Sequence, residues 1–117
     1  MSLESLRAEI AKFAAERDWD QFHSIRNLVL AMIGEVGEVA EIVQWTDDNK
    51  IGEMLESGGR ERLAEELADV LIYLIRVADR SGIELESAVR EKLEANGLKY
   101  PVERARGSAK KYDEFGS

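Results

Sequence analysis

Gly34-Glu35-Val36-Gly37-Glu38-Val39-Ala40 and Glu65-Glu66-Leu67-Ala68-Asp69-Val70-Leu71-Ile72-Tyr73 are the two stretches that decide how this chain reads. Each interrupts a long apolar segment with a pair of acids spaced i, i+3. Around the first, Leu28, Met32, Ile33, Val36, Val39, Ile42 and Val43 cover more than one narrow stripe, and predict a central helix from a Ser24 cap to about Trp45. Around the second, Leu63, Leu67, Val70, Leu71, Leu74, Ile75 and Val77 predict its partner from about Arg60 to Arg80. At roughly 100° per residue, three positions bring a side chain back to within about 60° of its start. Glu35 with Glu38, and Glu66 with Asp69, therefore form a two-carboxylate edge on each helix. If the helices pack side by side the edges converge, and four carboxylates in a partly dry cleft repel by on the order of several kcal/mol unless a cation neutralises them.

Outward from this pair, Leu6, Ile10, Phe13 and Ala14 predict an amphipathic first helix over about 3–17, and residues 18–23 a connector carrying Trp19, Phe22 and His23. The polar run from Thr46 to Gly59 reads as a loop with a short helical turn near Glu53 to Leu55. Ser81-Gly82 is a helix stop, and Leu85, Ala88, Val89 and Leu93 predict a fourth helix ending near Asn96-Gly97, with an irregular, locally basic tail from Leu98. The only proline is Pro101 and strand-like alternation is absent, so the fold class is all-α. The architecture is a four-helix bundle, or a helical pair that completes its core with another subunit. The domain spans 1–105, followed by a basic tail over 106–117.

A chain of 117 residues forms one domain that buries a modest fraction of its apolar surface alone, which makes partner subunits an expectation. Its 24 acidic against 16 basic residues give a formal charge of -8, unsuited to gripping a nucleic acid polymer over a wide area. No apolar run reaches the roughly 18 residues needed to span a bilayer. Met1-Ser2-Leu3-Glu4 lacks a secretory layout and cysteine is absent, so the chain reads as cytoplasmic.

Ligands that are all oxygen, with no cysteine and with no histidine in either pair, point to magnesium, or manganese in its place, rather than zinc. One such acid pair is common on a solvated helix, whereas two on the two most apolar helices are harder to attribute to solvation. Glu41, Glu61 and Glu65 read as solvent-facing or as a tier behind the acid pairs, with Glu41 or Glu65 able to complete the site. By helical arithmetic Trp45, Tyr73 and Asn27 fall about 20° off the acidic edges, so aromatic rings border the cleft, where they either stack on a flat base or simply pack. A di-iron bundle needs Glu-x-x-His pairs, and the single histidine, His23, lies outside the central helices. The remaining rival to an enzyme is a non-catalytic acidic helical oligomerisation module.

The order Glu35-x-x-Glu38 then Glu66-x-x-Asp69, set in Glu-Glu-Leu-Ala-Asp-Val-Leu-Ile-Tyr, resembles the signature of the MazG-like all-α nucleoside triphosphate pyrophosphohydrolases. Phe13-Ala-Ala-Glu-Arg-Asp-Trp19, Gln21-Phe-His23, Asn27-Leu28, Gln44-Trp45 and Lys99-Tyr-Pro-Val102 are similar to the dCTP pyrophosphatase branch, and the likeness spans nearly the whole chain. Ile25 departs from it, standing where that branch often has proline. The resemblance implies Mg-dependent cleavage of a (deoxy)nucleoside triphosphate, dCTP or a related cytosine nucleotide, to monophosphate and pyrophosphate. It makes Glu35, Glu38, Glu66 and Asp69 the metal ligands, and a carboxylate not fully engaged by metal, Glu35 or Glu38, is the expected general base. Trp19, His23, Asn27, Trp45, Tyr73, Lys92, Asn96, Tyr100 and Lys111 become nucleotide contacts, and the assembly a homo-oligomer, a dimer or a dimer of dimers.

Overall fold

The computed structural model describes residues 2–109 and 113, and among these no strand occurs. Six helices follow in order: α1 (Leu3–Glu16), α2 (Ile25–Val43), α3 (Ile51–Met54), α4 (Arg60–Arg80), α5 (Leu85–Lys99) and α6 (Val102–Ala105). The chain falls into two compact units, one ending at Ile83 and the other beginning at Glu84. The all-α expectation holds.

In the first unit α2 lies along α4, and α1 packs on α4 as well. Leu28 and Ile42 of α2, Ile75 and Ala78 of α4, and Ala14 of α1 form its buried core. The caps explain the boundaries. Ser2 and Ser5 close a reciprocal capping box at the start of α1, and the Ser24 hydroxyl accepts the Asn27 N–H at 3.1 Å to begin α2.

α1 ends in a left-handed turn. Asp18 takes φ 53°, its N–H donates to the Ala15 carbonyl and the Trp19 N–H to the Ala14 carbonyl at 2.9 Å. The same hydrogen-bond pattern ends α4, with Gly82 at φ 70° and the Ile83 N–H on the Ala78 carbonyl at 2.8 Å. The first turn aims Trp19 back onto Phe13, ring centres 5.7 Å apart in an edge-on arrangement. Residues Asp20–Phe22 then make a single tight turn before α2.

Three boundaries differ from the sequence expectation. α2 stops at Val43, leaving Trp45 in the turn beyond Gln44. The expected loop over 46–59 is largely helical: a turn at Asp48–Lys50 leads into α3, and the break comes only where Gly58 adopts φ 101°. Gly52 and the surrounding polar residues weaken a helix without forbidding it, whereas a left-handed residue ends one. In the second unit α5 runs through Asn96-Gly97 to Lys99, because Gly97 keeps an ordinary helical φ. Tyr100 is forced out of the helical region by Pro101, which then heads α6 within the expected irregular tail.

Candidate active site

The middle of α2 faces the N-terminal half of α4, and there the acid edges meet. One carboxylate oxygen from each of Glu35, Glu38 and Glu66 lies within 4.8 Å of the others. Asp69, one turn further along α4, falls outside that group of three, yet its charge is felt by both Glu35 and Glu66. The convergence follows from the spacing: both pairs sit i, i+3 on helices that run along one another.

This is an electrostatically awkward place for carboxylates. The inner oxygens, Oε2 of Glu35 and Oε2 of Glu66, are shut away from solvent and have no hydrogen-bond partner. Glu38 lies beside both and acts on the protonation of each. Burial, then the hydrogen bond and charge of Glu38, push the Glu35 carboxyl above its ordinary range. The Glu38 hydrogen bond, then burial and the neighbouring charges, push Glu66 up to about 7. At neutral pH such a set holds a proton it would otherwise have lost, or gathers a cation. The unpartnered buried oxygens fit a hard divalent ion, since they present anionic oxygen donors and no group among the described residues satisfies them.

The other expected site residues are spread over the chain. Trp19 is partly exposed, and its ring centre lies 6.2 Å from that of His23 at a tilt of 57°. The Asn27 amide donates to the Phe22 carbonyl at 3.2 Å, tying the connector to the first turn of α2. Tyr73 is half-buried on α4. Trp45 is 88% exposed, past the helix whose phase would have carried it towards the acids. Glu41, Glu61 and Glu65 are exposed. Lys92, Asn96 and Tyr100 belong to the second unit, where Lys92 is exposed and the Asn96 carbonyl accepts the Tyr100 N–H at 2.8 Å. Lys111 lies outside the described residues, as do Lys110 and Tyr112 of the basic tail.

One cluster escaped the sequence reading. Arg76, only 4% exposed, donates Nε–H to His23 Nδ1 at 3.1 Å, pairs through Nη2 with the Asp20 carboxylate, and through Nη1 with Asp79 at 3.4 Å. Arg7 of α1 reaches Asp79 from the other side at 3.3 Å, and Arg80 donates to the backbone carbonyls of His23 and Asp20. A signal for it exists: Arg76 is the only charge between Val70 and Ala78. A lone charge in such a run is one that must be paired when buried.

Known proteins carry the same arrangement of sequence and fold. A family model described as MazG-like matches residues 32–115. The dCTP pyrophosphatase 1 of Rattus norvegicus is 50% identical over 115 residues, covering 97% of this chain and 68% of the rat protein. That of Homo sapiens is 51% identical over 116 residues with the same coverage. Among solved structures, a pyrophosphatase from Archaeoglobus fulgidus superposes with a TM-score of 0.79 at 38% identity, over 84% of this chain and 91% of its own. The facing helices, the acid edges they bring together and this extent of likeness agree, and the chain belongs to the MazG-like family.

Proposed function

We propose that this protein is a magnesium-dependent pyrophosphohydrolase that cuts dCTP, or a closely related cytosine nucleotide, to the monophosphate and pyrophosphate. The observation that carries the reading is the pair of buried, unpartnered carboxylate oxygens on Glu35 and Glu66, meeting Glu38 within 4.8 Å, in a chain half identical to dCTP pyrophosphatases. A solvated scaffold has no reason to shut acid oxygens away without partners. That argues against the non-catalytic oligomerisation module.

Glu35, Glu38, Glu66 and Asp69 hold the metal in this reading, with manganese able to replace magnesium. When bound, the ion screens the roughly four negative charges of a triphosphate from the acids and acidifies a water for attack on the α-phosphorus. Glu38 joins Glu35 and Glu66 while remaining exposed itself, so its carboxylate is best situated to take the proton from the attacking water, with Glu35 as the alternative base. Trp19, His23 and Asn27 form one wall of the nucleotide site, held by the connector and the first turn of α2. Trp45 and Tyr73 supply further ring surface for the base. The family resemblance alone adds Lys92, Asn96, Tyr100 and Lys111 as nucleotide contacts, lysine charge offsetting that on the leaving pyrophosphate.

The enzyme works as a homo-oligomer, at least a dimer and by family resemblance a dimer of dimers. Ile33 and Val36 on α2, and Leu67, Leu71, Ile72 and Leu74 on α4, are exposed in the single chain, with Ile33 at 59%, and this supports a helical face covered by another copy. Sedimentation as a monomer at micromolar concentration would contradict it. Among the described residues no helix is long and apolar enough to cross a membrane. A soluble cytoplasmic role in clearing unwanted nucleotides follows from the reading.

The test is a panel of canonical and modified triphosphates, assayed for monophosphate and pyrophosphate with and without magnesium. Preferential, magnesium-dependent turnover of cytosine nucleotides is expected. Absence of turnover, together with absence of magnesium-dependent thermal stabilisation by nucleotide, would leave the scaffold reading standing.

A further inference from the structure

We propose that Arg76 is a positioning residue for the nucleotide site: its Nε–H on His23 Nδ1 commits the imidazole to carrying its proton on Nε2, so that His23 meets an acceptor atom of the nucleotide as a donor. The inference rests on the reading that the connector from Trp19 to His23 borders the nucleotide.

The chemistry begins with the donor inventory. A neutral imidazole has one N–H and one lone pair, and whichever nitrogen accepts a hydrogen bond leaves the proton to the other. Arginine offers only donors. With Arg76 Nε donating at 3.1 Å, Nδ1 is the acceptor and Nε2 carries the hydrogen. Among the described residues no hydrogen bond uses that Nε2 atom, which leaves it available.

Arg76 is in turn immobilised. Its Nη groups are held by Asp20 from the connector and Asp79 from α4, and Asp79 is braced by Arg7 from α1. Arg80, one helical turn on, donates to the carbonyls of His23 and Asp20 and clips the backbone of the same turn. Four bonds from two arginines thus fix both the imidazole and the six-residue connector that carries Trp19.

A cation to satisfy Asp20 and Asp79 did not have to touch the histidine. Pairing two carboxylates requires only positive charge, which lysine provides, whereas a guanidinium adds a planar Nε–H in fixed relation to its Nη groups. Placing that charge against an imidazole also opposes a second proton. Burial and then Arg76 lower the His23 pKa, Arg80 adds to this, and Asp20 opposes it. The charged groups around the ring are therefore Asp20 from the connector, Arg76 and Arg80 from α4 with Asp79 behind them, and Arg7 from α1. The outcome is a neutral imidazole of defined tautomer beside Trp19.

His23 is the single histidine of the chain, so a long-range nitrogen–proton spectrum of the uniformly labelled wild-type protein reports one imidazole without assignment. The expected result is the neutral form with its proton on Nε2 at pH 7. A proton on Nδ1, or an imidazolium at pH 7, overturns the proposal with no variant needed. Arg76→Lys keeps the charge and removes the Nε donor. It should alter the tautomer population and raise KM for dCTP about tenfold, the worth of one hydrogen bond, with kcat changing far less. Arg76→Lys with the tautomer and KM both unchanged overturns the positioning role. His23→Ala separates this from the parent reading: unchanged KM there removes His23 from the nucleotide site and the proposal with it, whatever the dCTP assay shows. A raised KM in His23→Ala beside an unaltered Arg76→Lys overturns the role of Arg76 alone.

Discussion

On the N-terminal half of α4, Glu66 faces Glu35 and Glu38 with its inner oxygen buried and unpartnered; on the C-terminal half, Arg76 is buried more deeply still and every arm of its guanidinium is bonded. The two clusters share a helix and differ in sign pattern. The first gathers like charges and leaves donors to be supplied from outside. The second alternates cations with Asp20 and Asp79 and is complete within the chain. Burial of charge is therefore not what marks a site in this protein; unsatisfied charge is. The acid cluster costs the free protein stability at neutral pH, while the arginine cluster holds α1, the connector and α4 in register.

The largest expected effect breaks the comparison on its functional side. Glu38→Gln keeps shape and removes the basic oxygen, so dCTP turnover with magnesium should fall by about 10²–10⁴-fold while the melting temperature stays close to wild type. Substantial remaining activity would take Glu38 out of the mechanism. Next comes the structural side. Arg76→Met removes the buried cation shared by Asp20, Asp79 and His23, with Arg7 still on Asp79, and should cost about 2–3 kcal/mol, read as a shift in the denaturant midpoint at constant slope. A loss below about 1 kcal/mol would place Arg76 among ordinary surface ion pairs and dissolve the distinction between the clusters.

The third test compares the sign of the two contributions. Glu66 has a folded pKa of about 7 against an ordinary 4.5, so between these values the folded state binds more protons than the unfolded one. Without divalent ions, stability associated with Glu66 is fully present below about pH 4.5 and is lost as pH rises through 7. Glu66→Gln should accordingly raise the metal-free melting temperature at pH 7.5, leave it nearly unchanged at pH 4.5, and remove most of the stabilisation that magnesium gives wild type. A variant that melts lower than wild type at pH 7.5 without metal would show that the cluster is not under like-charge strain.

These two clusters were not equally legible in the sequence. The acids announced themselves because helical period fixes the face each occupies: Glu35, Glu38 and Glu66 needed only two helices lying along one another to meet. Long apolar helices, the Ser24 cap and the Gly82 stop were readable for the same reason, being set by neighbours within a turn or two. Arg76 was not, since its partner Asp20 is 56 residues away on a connector whose path no local rule gives. Trp45 illustrates the limit of period arguments. Counting seven residues on from Glu38 presumes an unbroken helix, and α2 ends at Val43. Polar composition misled over 46–59, where the break depends on the left-handed Gly58 rather than on hydrophilicity. The end of α1 was legible near Arg17, although the left-handed turn that follows uses Asp18 rather than glycine.

The smallest expected effect comes from His23 beside the arginine cluster. Burial and the facing guanidiniums lower the His23 pKa below its ordinary 6.5, so in the acid range the unfolded chain takes up a proton that the folded protein refuses. Stability from this source is whole above pH 6.5 and declines as pH falls below it, opposite in slope to the Glu66 contribution over the same window. Wild type sums the two, and the larger carboxylate slope should dominate. Removing Glu66 as Gln should therefore uncover a gentle rise in melting temperature as pH climbs towards 6.5, and adding His23→Asn to that variant should flatten it. A rise that survives loss of the histidine would assign it to other groups and leave the arginine cluster electrically silent in this range.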